Sequence, residues 1–275
     1  MARLPDVGEP LPHHFETVDV RREGRTLQVL LQRPEVRNAF DARMISELTT
    51  VFEEAAGDET LGCVLLRGDG PVFCSGADVN WMRAAADYSE EENREDARRL
   101  SRLFQAFVAV PCPTVAAIQG AAVGGGSGLV ACADIAIAES SATFGFTEVR
   151  LGIIPAAISP FVLRKVPAAH ARRYFATGET FDGQRAAGIC LVSEAVPASE
   201  LESRVGEVIE AILAVGPRAS RQAKQLVDKV LGRPMAEVTE MTAGLIAQVR
   251  STDEAREGLS AFLEKRSPAW REGEP

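Results

Sequence analysis

A chain of 275 residues can bury a sizeable core, as one large domain or as one domain with an appendage. Its composition, 46% hydrophobic and 25% charged, is that of an ordinary soluble globular protein. A net charge of -9 argues against a nucleic-acid footprint, and no apolar run is long enough to span a membrane.

The N-terminus has no apolar signal core, so a cytoplasmic protein is expected. His13 and His14 sit in a Pro-rich lead-in and read as a surface pair rather than metal ligands. Residues 15–20 alternate apolar and polar and predict a strand, with a turn at Gly24 and a hairpin partner over 26–32. Pro34 stops the sheet. Asp41 is placed to cap a helix over 42–56, with Met44, Ile45, Leu48, Val51 and Phe52 on one face.

Residues 63–66 form a short apolar run ended by a Gly-Pro turn, a buried strand. Residues 72–78 leave the sheet through Gly76. The polar stretch from about 84 to 99, whose first part reads as mobile, leads into a helix carrying Leu100, Leu103, Phe104 and Phe107. Pro111 and Pro113 end that helix, and 114–118 is the next buried strand. A helix is predicted from about 125 and a strand over 134–138. Beyond Pro155 helical periodicity dominates, near 156–165, 167–175, 198–214, 217–231, 234–249 and 252–265. Alternating strands, glycine exits and helices predict an α/β fold of several stacked turns. The five cysteines are scattered, mostly among apolar neighbours, and lack CxxC spacing; buried free thiols in a reducing compartment fit.

Two glycine exits carry the chemistry: Ser75-Gly76-Ala77-Asp78 and Gly124-Gly125-Gly126. Glycine lets backbone approach a ligand, and a helix starting there presents unpaired N–H groups. If both loops face one point, the amides of Ala77 and Gly125 can hold negative charge developing on a thioester oxygen. Such donors contribute about 3–4 kcal/mol each in oxyanion holes. Ser75, Cys74 and Ser127 lie near, yet no Ser–His–Asp arrangement is legible. Asp78 and Asp134 read as structural carboxylates, and His170 as a surface residue.

Residues 33–38 (RPEVRN), 73–78 (FCSGAD), 120–126 (GAAVGGG) and 144–155 (FGFTEVRLGIIP) resemble, in order and spacing, the signatures of the enoyl-CoA hydratase/isomerase (crotonase) family. The likeness extends from about Phe15 to Trp270. It implies a spiral of stacked ββα turns over residues 1–197 and a helical trimerisation region over 198–275, with a homotrimer or dimer of trimers. It also implies an acyl-CoA substrate, with coenzyme A entering as part of that substrate and no metal or redox cofactor. The thioester oxygen would sit between the amides of Ala77 and Gly125, beside Cys74, Gly76, Asp78 and Gly124. Arg33, Arg37 and Lys265 are candidates for meeting the carrier's phosphates.

Hydratases of this family typically carry two glutamates. Glu148 matches the second, whereas the first falls on Gly128. With Glu148 alone, three readings stay open: hydration of a 2-enoyl-CoA, Δ3,Δ2-enoyl-CoA isomerisation through one proton shuttle, and acyl-CoA binding without turnover. Residues 126–132 and 154–162 resemble bacterial hydratases of branched or carboxylated enoyl-CoA, such as the methylglutaconyl-CoA type. That tilts the choice to hydration, with Gly128 expected to open room for a larger substrate.

Overall fold

The structure, a computed structural model, describes residues 9–10 and 15–271. His13 and His14 lie outside the described residues. Strand β1 (Glu9–Pro10) pairs antiparallel with β2 (Val18–Glu23), which folds back on β3 (Thr26–Leu31). The hairpin starts at Val18 rather than Phe15. The N–H groups of Glu16 and Thr17 instead donate to the Glu47 carboxylate, at 3.0 and 2.9 Å. Asp41 caps helix α1 (Ala42–Gly57) by accepting the Met44 N–H at 2.8 Å, and all five residues of the predicted face are buried.

Strand β4 (Cys63–Gly68) lies parallel to β3. The structure then sharpens the reading of residues 84–99, which are helical except for a turn over 86–89. Helix α2 (Val79–Ala85) is followed by α3 (Glu90–Ala109), opened by a capping box between Ser89 and Glu92. Ion pairs Arg94–Glu90 and Arg98–Glu95 brace its polar face. A capping box and charges one turn apart hold a helix that has few apolar residues at its start. Further along, Phe107 stacks on Phe52 with ring centroids 4.3 Å apart, fixing α3 against α1.

The chain continues through β5 (Thr114–Ile118), β6 (Ala121–Val123), α4 (Gly125–Cys132), β7 (Ile135–Glu139) and β8 (Thr143–Gly145). Next come α5 (Ser159–Val162), α6 (Ala168–Thr177), β9 (Thr180–Asp182), α7 (Gly183–Gly188) and β10 (Glu194–Val196). The helix expected over 156–165 shrinks to α5. The parallel run β3-β4-β5-β7-β10 extends the hairpin into a seven-stranded sheet. A second layer holds β6, β8 and β9, and single bridges Phe40–Ala77 and Cys74–Ala122 continue it back to earlier turns. Each turn therefore runs from a long strand to a short second-layer segment and then to a helix or helical turn. This is the predicted spiral of ββα turns.

The tail comprises α8 (Leu201–Leu213), α9 (Pro217–Val230), α10 (Met235–Arg250) and α11 (Asp253–Glu264). Leu201 and Val205 of α8 cover one sheet face, against Cys63, Leu65, Val115, Ala117 and Ile137. Arg221 of α9 donates to the carbonyls of Asp58 and Leu61, at 3.0 and 2.6 Å, tying the tail to the core. Cys63, Cys74, Cys112 and Cys132 are buried free thiols, while Cys190 is exposed. No helix among the described residues is long and apolar enough to cross a membrane.

Candidate active site

Successive turns of the spiral bring the two glycine exits together. The Phe40 N–H donates to the Gly76 carbonyl at 2.7 Å, and the Asp78 N–H donates to the Phe40 carbonyl at 2.8 Å. Ala77, between them, makes no hydrogen bond through its own N–H among the described residues. Gly125 opens α4, and its N–H likewise has no acceptor among the described residues. It is one of the donors that every helix leaves unpaired at its start. Both loops need glycine to meet. Gly76 has φ +91°, and a Cβ there would lie 2.8 Å from the Val123 carbonyl oxygen and 3.8 Å from Gly124 Cα. Gly124 has φ +54°.

Glu148 stands beside this junction. A Cβ built at Gly124 would lie 3.5 Å from Glu148 Oε1. Thr147 precedes a single 3-10 turn, Glu148–Leu151, which places the carboxylate there. Its Oε2 is buried with no hydrogen-bond partner among the described residues. Burial pushes its pKa above the ordinary glutamate range, and its own N–H opposes this only in part. A desolvated carboxylate of raised pKa, with one oxygen unpartnered among the described residues, suits proton transfer next to an oxyanion developing at the two unpaired amides.

The space at Gly128 is filled, which corrects the expectation that it opens room for substrate. A Cβ there would meet Ile158 Cγ2 at 2.5 Å and Phe104 Cζ at 2.9 Å. Phe104 reaches in from α3, and Ile158 from the segment before α5, and both are buried. No second carboxylate stands at that place. The other glycines of α4 are packed as closely: a Cβ at Gly126 would lie 2.4 Å from the Cys74 carbonyl oxygen, and one at Gly125 would lie 2.8 Å from the Phe40 ring.

The remaining predicted residues take other places. Asp78 caps α2, accepting from the N–H groups of Asn80 and Trp81 at 2.8 and 3.4 Å. Burial pushes its carboxyl up, but these N–H groups and the Arg33 guanidinium outweigh it and hold the pKa below the ordinary aspartate range. Arg33 is itself engaged, with Asp41 at 3.1 Å, Asp78 at 3.2 Å and the Ala39 carbonyl at 2.7 Å. It braces the Ala77 loop rather than standing free. The Cys74 thiol is buried and its pKa is pushed up to about 12, so it packs the junction as a thiol. Arg37 and Lys265 are exposed. Asp134 accepts from the N–H and hydroxyl of Thr114, as a structural carboxylate should. His170 is half-buried, 3.3 Å from Arg185, rather than a free surface residue.

Sequence reasoning passed over Asn38. Fully buried at φ +54°, it accepts from the Arg33 N–H and donates to the carbonyls of Asp69 and Val72. It thereby joins the first turn to the strand exit that leads to Ala77. An asparagine closing a Pro-started turn was the available signal, since asparagine tolerates left-handed backbone.

Known proteins resemble this chain over most of its length. The enoyl-CoA hydratase/isomerase family model matches residues 21–273. A Rhodobacter capsulatus protein named probable enoyl-CoA hydratase is 36% identical over 87% of this chain and 92% of its own. Two solved structures superpose closely. An enoyl-CoA hydratase from Shewanella pealeana has a TM-score of 0.88 at 38% identity, covering 93% of this chain and 96% of its own. Pseudomonas aeruginosa AtuE has a TM-score of 0.89 at 34% identity, covering 93% and 99%. The chain therefore belongs to the enoyl-CoA hydratase/isomerase family, a family of enzymes, and has its crotonase fold.

Proposed function

We propose that this enzyme adds water across the conjugated double bond of a 2-enoyl-CoA, including branched or carboxylated acyl groups. The observation that carries the reading is the buried, unpartnered Oε2 of Glu148 beside the Gly76–Gly124 junction. In this reading the thioester oxygen accepts from the N–H groups of Ala77 and Gly125, which draws electrons out of the double bond. Glu148, as carboxylate, takes a proton from water while the water oxygen bonds to C3. The resulting enolate collapses, and Glu148 returns that proton to C2. One O–H bond of water and the C2–C3 π bond break, and one C–O and one C–H bond form, with no net redox change. Coenzyme A enters as part of the substrate, and the steps draw on no metal or redox group. Gly76 and Gly124 would line the thioester pocket, with Cys74, Asp78 and Arg33 supporting it from behind. Arg37 and Lys265 are the exposed cations offered for the carrier's phosphates, and Gly128 contributes backbone alone.

A second reading is favoured by the filled space at Gly128. With no carboxylate there to share a water, one base can instead carry a proton between C2 and C4, which is Δ3,Δ2-isomerisation. A mass-resolved product screen over 2-enoyl- and 3-enoyl-CoA thioesters separates the two, because only hydration adds the mass of water. Loss of conjugated absorbance with that mass gain is the expected result. Gain of conjugation without it overturns hydration. Acyl-CoA binding without turnover anywhere in the panel overturns both.

We also propose self-association through the tail, as a trimer or dimer of trimers. Leu231, Met235, Phe262 and Leu263 are each more than 70% exposed, and covering large apolar side chains like these is favourable. Light scattering of the purified protein tests it, and a monomer at micromolar concentration overturns it.

A further inference from the structure

Helix α4 is a poor helix held in place from outside. Its eight residues, GGSGLVAC, include three glycines, each about 1 kcal/mol worse than alanine in a helix interior. The glycines resist exchange for better formers, because Phe40, the Cys74 carbonyl, Ile158 and Phe104 crowd the space their side chains would need. Its direction therefore depends on tertiary clamps. At the start, Ser127 Oγ donates to the carbonyls of Ala122 and Gly145, at 2.7 and 3.2 Å. At the end the chain turns straight into β7, and Lys165 Nζ donates to the carbonyls of Ala133 and Val130, at 2.5 and 3.3 Å.

We propose that Lys165 is a positioning residue for the oxyanion: its buried ammonium fixes the C-terminal end of α4 so that the Gly125 N–H at the other end stays aimed at the thioester oxygen. The inference rests on the function proposed above. The two ends are separated by about 12 Å, the length of eight helical residues, so Lys165 acts through the helix and touches no substrate. A cation at a helix C-terminus is also favoured by the aligned peptide dipoles. Lys165 lines a cavity of about 470 Å³ with Asp134, Arg164, Lys224 and Asp228. Two of these charges are engaged with each other, Arg164 with Asp228, and Lys224 pairs with Asp134 at 2.7 Å. Cys132, at the end of α4, also faces Lys165, with its thiol pKa pushed up by burial. The charge on Lys165 changes in the working range. Burial lowers its pKa to about 8, with Asp134 and Cys132 opposing.

The test uses the full-length protein with two variants. Lys165→Met removes the donors and the charge, and Lys165→Arg keeps both at all accessible pH. The first readout, amide exchange across residues 125–132, needs no substrate. Lys165→Met is expected to speed it about tenfold, with Lys165→Arg close to the wild type. The second is turnover of 2-enoyl-CoA: kcat falls about tenfold in Lys165→Met, KM stays within about threefold, and Lys165→Arg restores kcat. In the wild type kcat declines as pH rises past 8, and Lys165→Arg carries that decline to higher pH. Unchanged exchange in Lys165→Met, or a wild-type alkaline decline that persists in Lys165→Arg, overturns the proposal. A wild type that turns over no enoyl thioester overturns the proposed function instead, and exchange alone then decides the clamp.

Discussion

Two carboxylates flank the same junction of loops and are treated in opposite ways. Asp78 follows Ala77 and has every oxygen occupied, by two backbone N–H groups and the Arg33 guanidinium. Glu148 stands beside Gly124 with a buried oxygen that has no hydrogen-bond partner among the described residues. Partners stabilise the charge on Asp78 and lower its pKa, whereas desolvation, opposed only in part by the residue's own N–H, raises that of Glu148. The difference separates scaffold from chemistry. A carboxylate that shapes a loop must stay charged, and one that moves a proton must be able to take it.

The contrast breaks most sharply at Glu148. Glu148→Gln is expected to lower kcat about 10²- to 10⁴-fold, the usual span for removing a general acid/base, as measured on an enoyl-CoA that the wild type hydrates. Stability should move the other way. A glutamate whose folded pKa is raised binds its proton more tightly folded than unfolded, so ionising it lowers stability as pH rises from the unfolded value through the folded one. Glu148→Gln removes that penalty, and its melting temperature at pH 7 should equal or exceed the wild type's. In the wild type, activity should fall as pH drops through the raised pKa, giving an acid limb above the ordinary carboxylate range. A limb at the ordinary position would remove Glu148 from the proton's path.

Next in size is the packing under the junction. Gly126→Ala sets a methyl 2.4 Å from the Cys74 carbonyl oxygen, which is main chain and cannot swing aside. Destabilisation of about 1–3 kcal/mol is expected in denaturant melts, with activity falling in step. Gly128→Ala presses instead on the side chains of Ile158 and Phe104, which can yield, so its loss should be smaller.

The smallest effect belongs to the other carboxylate. Asp78→Ala loses the cap of α2 and the Arg33 contact, and about 0.5–2 kcal/mol of stability with it. Here the sign reverses. The stability contributed by a carboxyl of lowered pKa is complete above its unfolded value and disappears as pH falls through the folded one. The gap between Asp78→Ala and the wild type should therefore close in strong acid, whereas the Glu148 effect is felt on the neutral side. If Asp78→Ala abolished turnover while leaving the melt unchanged, the division between scaffold and chemistry would fail.

Much of this site was legible because its logic is local. Asp41 announces α1 three residues ahead of the Met44 amide it meets, and Gly76 and Gly124 mark the two backbone exits. The second layer was not legible. β6, β8 and β9 are three residues each, too short for a period, and their pairing partners lie at least 20 residues away. Gly128 shows the same limit. Its missing side chain is plain in the sequence, but Phe104 and Ile158 filling the space come from 24 and 30 residues away on either side. The reach of Lys165 back to the end of α4 is likewise a product of tertiary folding.

Cys190 offers something practical. It is the exposed thiol of five, in left-handed backbone after α7, while the other four are enclosed. A maleimide dye should therefore attach once per chain without denaturation. Counting bleaching steps on single particles would then read the number of chains in each assembly, one fluorophore at a time.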